Sequence, residues 1–208
     1  MILIYNKIKI IYILLKMSEK TDFELSHVAF LVLGLVSEQP SYGKDINKKI
    51  EDRGMRSWTA IGKSSIYGVL KILKENKLVD SWIEEEDNRV IKIYKITEYG
   101  FRVLKNKVYN VLKKYYGRNG EDFYVAFSMI PLLSIDEQVR AISGSIKKLS
   151  VHIKELEDML LQNSKMPLNV RGLFIHPIKV LKTDIEFLKE VLEEIKKGGT
   201  KHDKEASN

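Results

Sequence analysis

The sequence predicts a mainly α-helical fold with one small β-hairpin. It orders as an N-terminal module of three helices and a hairpin, then a C-terminal antiparallel pair of coiled-coil-like helices. Three observations carry this. Ile66, Val69, Leu70 and Leu73 recur at steps of three and four, the stripe of an amphipathic helix. Directly after them, Val79, Trp82 and Ile83 lead into a charged tip, and Val90, Ile91, Ile93, Tyr94 and Ile96 lead out of it. These residue types suit a pleated, half-buried surface. From Ile135 onward, apolar residues alternate steps of four and three over two long stretches.

Residues 1–16, MILIYNKIKIIYILLK, are very apolar but interrupted by Lys7 and Lys9. The run is shorter than the ~20 residues that span a bilayer, and it lacks the small-residue cleavage site of a signal peptide. We read Met17 as the natural start and 1–16 as an upstream extension. The other readings are an amphipathic arm packed on a partner and a membrane-surface segment. Residues 1–24 are set apart on this ground.

Leu25, Val28, Ala29, Leu31, Val32 and Leu35 make a first helix that is almost continuously apolar, hence buried. Pro40 disfavours helix at the residue before it, so Glu38–Ser41 reads as a turn. Ser41 is expected to cap a second helix from Tyr42 to about Arg53, with Ile46 and Ile50 inward and Gly54 ending it. Residues 55–63 lead to the third helix, which Ser64 or Ser65 caps. Lys74 and Lys77 suit the negative end of its dipole. The face opposite the apolar stripe carries Lys63, Tyr67, Lys71 and Lys74, with Glu75 the exception. Glu86-Asp87-Asn88-Arg89 is the hairpin turn. An exposed helix beside such a hairpin is the reading head of a winged helix-turn-helix, which points to nucleic acid rather than to chemistry.

Thr97 caps a fourth helix running to about Tyr116, with Phe101, Leu104, Val108, Val111 and Leu112 on one face. Its other face holds Arg102, Lys105, Lys107, Lys113 and Lys114, either a solvated face or a contact to DNA backbone. Gly117–Gly120 is a domain boundary, so the winged module spans 25–116. Residues 121–133 form a short helix, and Ser134 with Glu137 is a capping box. The helical dimerisation domain spans 121–197. Its first seam is Ile135, Val139, Ile142, Ile146, Leu149, Ile153, Leu156 and Leu160. Its second is Phe174, Ile178, Leu181, Ile185, Leu188, Leu192 and Ile195. A period of 3.5 needs a facing helix. The break at Gln162–Leu168 makes the two an antiparallel pair. Pro177 requires either a helix start near His176 or a kink. We expect a homodimer of four helices, two per chain, with Ile142, Ile146, Leu149, Ile153, Leu181, Ile185 and Leu188 in its interface. An intrachain hairpin is the alternative. Residues 198–208 read as a polar, disordered tail.

The chain has 208 residues, enough for one large domain or two small ones. Its net charge of +7 weakly favours a polyanionic partner. It has no cysteine, hence no disulfide or thiol chemistry, which suits a cytoplasmic protein. His27, His152, His176 and His202 lack metal-ligand spacing, and there is no Gly-rich phosphate loop or nucleophile elbow. We therefore expect no enzyme, no cofactor and no metal.

The runs LVLGLVSEQPSYGKDI (31–46), SSIYGVLKILKENKLV (64–79) and NRVIKIYKITEYG (88–100) resemble the PadR-type transcriptional regulators. Those share a Tyr-Gly pair opening helix two, an S-I-Y-x-x-L reading helix and a wing ending Y-x-I-T-x-x-G. The C-terminal part is similar by pattern to the longer branch of the family. The resemblance implies a dimeric winged-helix repressor on a roughly palindromic double-stranded operator, often released by a small-molecule effector, with no membrane. It carries Tyr42, Ser64, Ser65 and Tyr67 onto the family's helix positions, and Arg89 and Lys92 onto its basic wing. The wing departs from the usual Gly-Arg-x-Arg-Lys by one basic residue. Ser64, Ser65 and Tyr67 are then candidates for base edges; Lys63, Lys71 and Lys74 for phosphate. Tyr42 is a phosphate donor or a core tyrosine. Trp58, Trp82, Phe123, Tyr124 and Phe127 are aromatic enough to line an effector pocket, or simply core. A winged-helix adaptor without operator binding is the second functional class.

Overall fold

The computed structural model describes residues 23–59, 61–62, 65–86, 89–117, 120–162 and 165–198, without the side chains of Glu86 and Glu121. The readings of residues 1–22, Lys63, Ser64, the hairpin tip 87–88 and the tail 199–208 lie outside them.

Helix α1 (His27–Glu38) begins at Ser26, whose Oγ accepts the Ala29 N–H at 3.3 Å. Every residue from Ala29 to Val36 is buried. Its continuous apolar sequence makes sense, because neighbours pack on it from all sides. Helix α2 (Gly43–Asp52) buries Ile46 and Ile50 and ends before Gly54, which takes the left-handed angle φ 60°. A 3₁₀ turn (Met55–Ser57) follows. Arg56 ties it down, donating to Asn47 Oδ1 at 2.9 Å and to the Ile61 carbonyl.

Ser41 does not cap α2; Tyr42 is the N-cap, without a side-chain hydrogen bond. Pro40 keeps the backbone extended, and the extension continues through Ser41 and Tyr42. Ser41 instead exchanges both backbone hydrogen bonds with Tyr94, each at 3.0 Å. The turn into α2 is thereby stitched to the wing.

Helix α3 (Ser65–Glu75) buries Ile66, Leu70 and Leu73. It ends as a Schellman motif: Leu78 N–H reaches the Leu73 carbonyl at 2.9 Å around Lys77, which holds φ 60°. Strands β1 (Val79–Glu86) and β2 (Arg89–Ile96) pair antiparallel from Val79↔Ile96 to Glu86↔Arg89. Thr97 caps α4 (Glu98–Lys114), accepting the Gly100 N–H at 2.9 Å while donating to the Lys77 carbonyl at 2.8 Å.

Helix α5 (Glu121–Ser128) and a 3₁₀ turn (Ile130–Leu132) lead to α6 (Ile135–Gln162). The capping box forms: Ser134 N–H donates to Glu137 Oε2 at 2.8 Å, and Glu137 N–H to Ser134 Oγ at 3.4 Å. Helix α7 (Leu168–Lys196) starts a full two turns before His176 and runs through Pro177. The carbonyl that Pro177 leaves without its helical donor is that of Leu173, an exposed residue that water can serve.

The heptad seam closes inside one chain. Ile142, Leu149 and Leu188 are fully buried, Ile153 and Leu181 nearly so, and Ile146 and Ile185 are half-buried against them. The short connection folds α7 back onto α6, and α4 covers α6 from another side, with Ser145 Oγ donating to the Leu112 carbonyl. Of the residues expected at a dimer interface, Ile142, Leu149, Ile153, Leu181 and Leu188 are buried by the chain's own packing. Among the described residues, Val151, Met159, Leu161, Leu168, Leu173, Val180 and Phe187 are the large apolar side chains that these two helices leave exposed beyond Ile135.

Candidate nucleic-acid interface

Three elements converge on one groove of about 610 Å³: the N-terminus of α2, the exposed face of α3 and strand β2. Tyr42 and Lys44 flank the start of α2, Tyr67 projects from α3, and Arg89 and Lys92 come from β2. Tyr94 forms the floor, its hydroxyl pushed up by burial and then by neighbouring Tyr67. Lys92 Nζ lies 5.6 Å from the Tyr94 ring centroid, a cation–π contact. The first turn of α2 has no side-chain cap hydrogen bond, and Asp45 is the one acid in that turn.

Gly43 shapes the groove. A Cβ there would stand 2.5 Å from Tyr67 Cε1. The bare backbone lets the Tyr67 ring lie across the start of α2, which couples the two helices at the surface.

Residues 32–106 match the model of the transcriptional regulator PadR-like family. This segment is similar to the PadR-like family. It begins within α1, ends within α4, and contains the whole groove. No curated protein matches the chain. Among solved structures, it is similar to Bacillus subtilis PadR in complex with operator DNA (17% identity, 81% of this chain and 98% of that one, TM-score 0.38). It is also similar to the PadR-like transcriptional regulator BC1756 from Bacillus cereus (20%, 82% and 99%, TM-score 0.35). A third is smu.1704 from Streptococcus mutans UA159 (27%, 43% and 87%, TM-score 0.34). That family is one of transcriptional regulators. Among the described residues, no helix is long and apolar enough to cross a membrane.

Within the PadR-like segment, the expected site residues separate into groups. Tyr42, Tyr67, Arg89 and Lys92 meet in the groove. Ser65 opens α3 and is exposed. Lys71 stands in solvent with Glu75 at 3.8 Å, and Lys74 donates to Ser81 Oγ at 2.6 Å. Neither lysine lines the groove; Lys74 joins α3 to β1 and fixes the wing instead. Lys44 was not anticipated, although its place beside the Tyr-Gly pair at a helix start was a readable signal. The wing is two-sided: Glu84 and Glu85 stand exposed on β1, while the cations sit on β2.

The winged module, 25–116, is joined to the helices that follow by ion pairs. Lys105 reaches Glu137 at 2.9 Å and Lys107 reaches Asp122 at 2.7 Å, so these α4 cations are structural. His27 bridges Asp122 Oδ1 at 2.9 Å and Thr59 Oγ1 at 2.5 Å. Burial works against the Asp122 charge, but the hydrogen bonds from Lys107 and His27 hold its carboxyl below the usual range. Sequence spacing tests His27 only as a metal ligand and misses this role. Of the aromatic candidates, Phe123 is buried, Trp58 and Phe127 half-buried, and Trp82 and Tyr124 exposed at 38% and 56%. Phe123 and Tyr124 line a second cavity.

Proposed function

We propose that the chain is a homodimeric repressor that reads a two-fold DNA operator through α3 and the wing and is released by a small-molecule effector. The observation that carries this reading is the groove, where Lys44, Arg89 and Lys92 and the Tyr42 and Tyr67 hydroxyls gather around a helix N-terminus. Phosphate contacts of this kind fix register, while the start of the recognition helix reads base edges in the major groove. We assign Ser65 and Tyr67 to base edges and Lys71 to phosphate, and from sequence position alone Ser64 and Lys63 to the same two roles. Two copies would set their reading heads about one helical turn (~34–36 Å) or a multiple apart. The apolar side chains left exposed on α6 and α7 are the surface for the second copy. An effector with different affinity for the two spacings shifts the population toward release. Such a regulator works in the cytoplasm, where its DNA is.

The test is a gel shift with the DNA upstream of its own gene, with salt titrated. Specific binding should exceed that to unrelated DNA by roughly 10³-fold or more. Arg89→Ala and Lys92→Ala should each weaken binding uniformly across sequences and lower the salt slope by about one. Tyr67→Ala should instead relax discrimination between operators, by about 1–3 kcal/mol. Weak sequence-independent binding, or none, would overturn the reading in favour of a winged-helix adaptor. Exposed Trp82, Ile83 and Val90 beside Glu84 and Glu85 on the wing favour that second reading, because together they make a protein-like surface on an expected DNA-binding element.

A further inference from the structure

A second cavity, about 370 Å³, lies where the end of α4 meets α5 and α7. Its size falls within the usual range of small-molecule sites, roughly 300–1,000 Å³. Tyr115 stacks on Phe123 with centroids 4.1 Å apart, and Phe123 meets Tyr124 edge-on at 5.9 Å. Val180 and Asp184 of α7 close the other side. The Asp184 carboxylate accepts the Tyr115 hydroxyl at 3.1 Å, and no cation among the described residues pairs with it. Gly117, at φ 79°, brings the chain down onto it: a Cβ there would stand 3.0 Å from Asp184 Oδ2 and 2.1 Å from Leu181 Cδ2.

This arrangement is unusual for a structural acid. A half-buried carboxylate beside aromatic rings favours an opposite charge, and Asp184 has the Tyr115 hydroxyl in its place. Burial raises the Asp184 carboxyl above its ordinary range, and the Tyr115 hydrogen bond only partly opposes this. Burial, then the nearby acid, pushes the Tyr115 hydroxyl up as well. The wall opposite the acid is aromatic, and aromatic faces attract cations within about 6 Å.

We propose that this cavity binds an organic ammonium ion with a small apolar body, its charge set against Asp184 and its substituents lying on Phe123 and Tyr124. The acid repels carboxylate ligands from the same place. Tyr115 ends the helix that Thr97 starts beneath the wing, and Asp184 belongs to the long-helix pair, so an occupant touches both parts of the molecule at once. The inference gives a chemical class to the effector of the proposed function and does not depend on its DNA half.

The experiment is calorimetric titration of the full chain, without DNA, with benzyltrimethylammonium, benzyl alcohol and benzoate. The ammonium should bind at least about tenfold more tightly than the alcohol, and benzoate should give no measurable binding. Asp184→Asn should fold normally by circular dichroism and lose at least about tenfold in ammonium affinity. Tyr124→Leu, which alters an exposed ring, should weaken it several-fold. Arg118→Ala, removing the cation that follows Gly117 in sequence, should bind no more weakly than the unsubstituted chain. Benzoate binding as well as the ammonium, undiminished binding by Asp184→Asn, or no ammonium binding would overturn the proposal. An intact operator shift in that event leaves DNA reading standing; a lost shift with ammonium binding retained removes the operator and keeps the site.

Discussion

Gly43 and Gly100 are both buried, and a methyl group at either would collide, but with different neighbours. At Gly43 the neighbour is the outer edge of the Tyr67 ring, 2.5 Å away on a side chain 58% exposed. The ring can swing into solvent. Gly43→Ala should therefore leave thermal stability nearly unchanged while costing operator affinity several-fold in a gel shift. At Gly100 the neighbour is the backbone carbonyl of Leu78, 2.0 Å away, which also accepts the Thr97 N–H at 3.0 Å. Nothing there can swing aside. Gly100→Ala should lower stability by about 1–3 kcal/mol in urea unfolding. Equal effects of the two substitutions on stability would show that Tyr67 is held more firmly than its exposure implies.

The start of α6 sets an acid limb on stability. Glu137 is drawn down to about 2, first by the Lys105 hydrogen bond and then by the Ser134 N–H and hydroxyl. A carboxyl lower in the folded than in the unfolded chain stabilises above its ordinary value of 4.5, and that contribution is lost as pH falls toward 2. Asp122 is lowered too, its burial outweighed by Lys107 and His27. So is Glu38, where burial is outweighed by Arg53, which donates at 2.8 Å, and by Lys49. All three shifts have the same sign, so the chain should lose stability progressively between about pH 5 and pH 2. Glu137→Gln should cost at most about 1 kcal/mol at pH 7, because the pair is partly solvated, and progressively less as pH falls through about 2. A difference that stays constant with pH would place the effect in the cap geometry rather than the charge.

Across the whole molecule, two classes of apolar residue on α6 and α7 should behave oppositely. Leu149 is fully buried within one chain. Leu149→Ala should lower stability by about 2–5 kcal/mol, at every protein concentration. Leu173, 72% exposed, belongs to the surface proposed for a second copy. Leu173→Glu should leave the helical fold intact and weaken self-association in sedimentation velocity. Loss of dimer from Leu149→Ala at unchanged monomer stability would reverse these assignments.

Features made by neighbours in the chain are legible in the amino-acid order alone. Thr97 and the Ser134–Glu137 box cap helices within three residues of themselves, and the α3 stripe repeats within two turns, so local spacing determines them. The same spacing puts Tyr67 on the outer face of α3. Ser41 shows the limit: its residue type suits a helix cap, but a distant strand edge at Tyr94 claims its backbone. Partners far apart in sequence are invisible for the same reason. Tyr115 and Asp184 are 69 positions apart, and His27 and Asp122 are 95 apart. The sequence by itself determined that α6 and α7 each need a facing helix, because a period of 3.5 leaves an apolar stripe that water disfavours. Only the tertiary structure decided that this helix lies on the same chain: periodicity states what a stripe must bury against, but the loop that folds α7 back and the α4 surface beneath α6 select the partner.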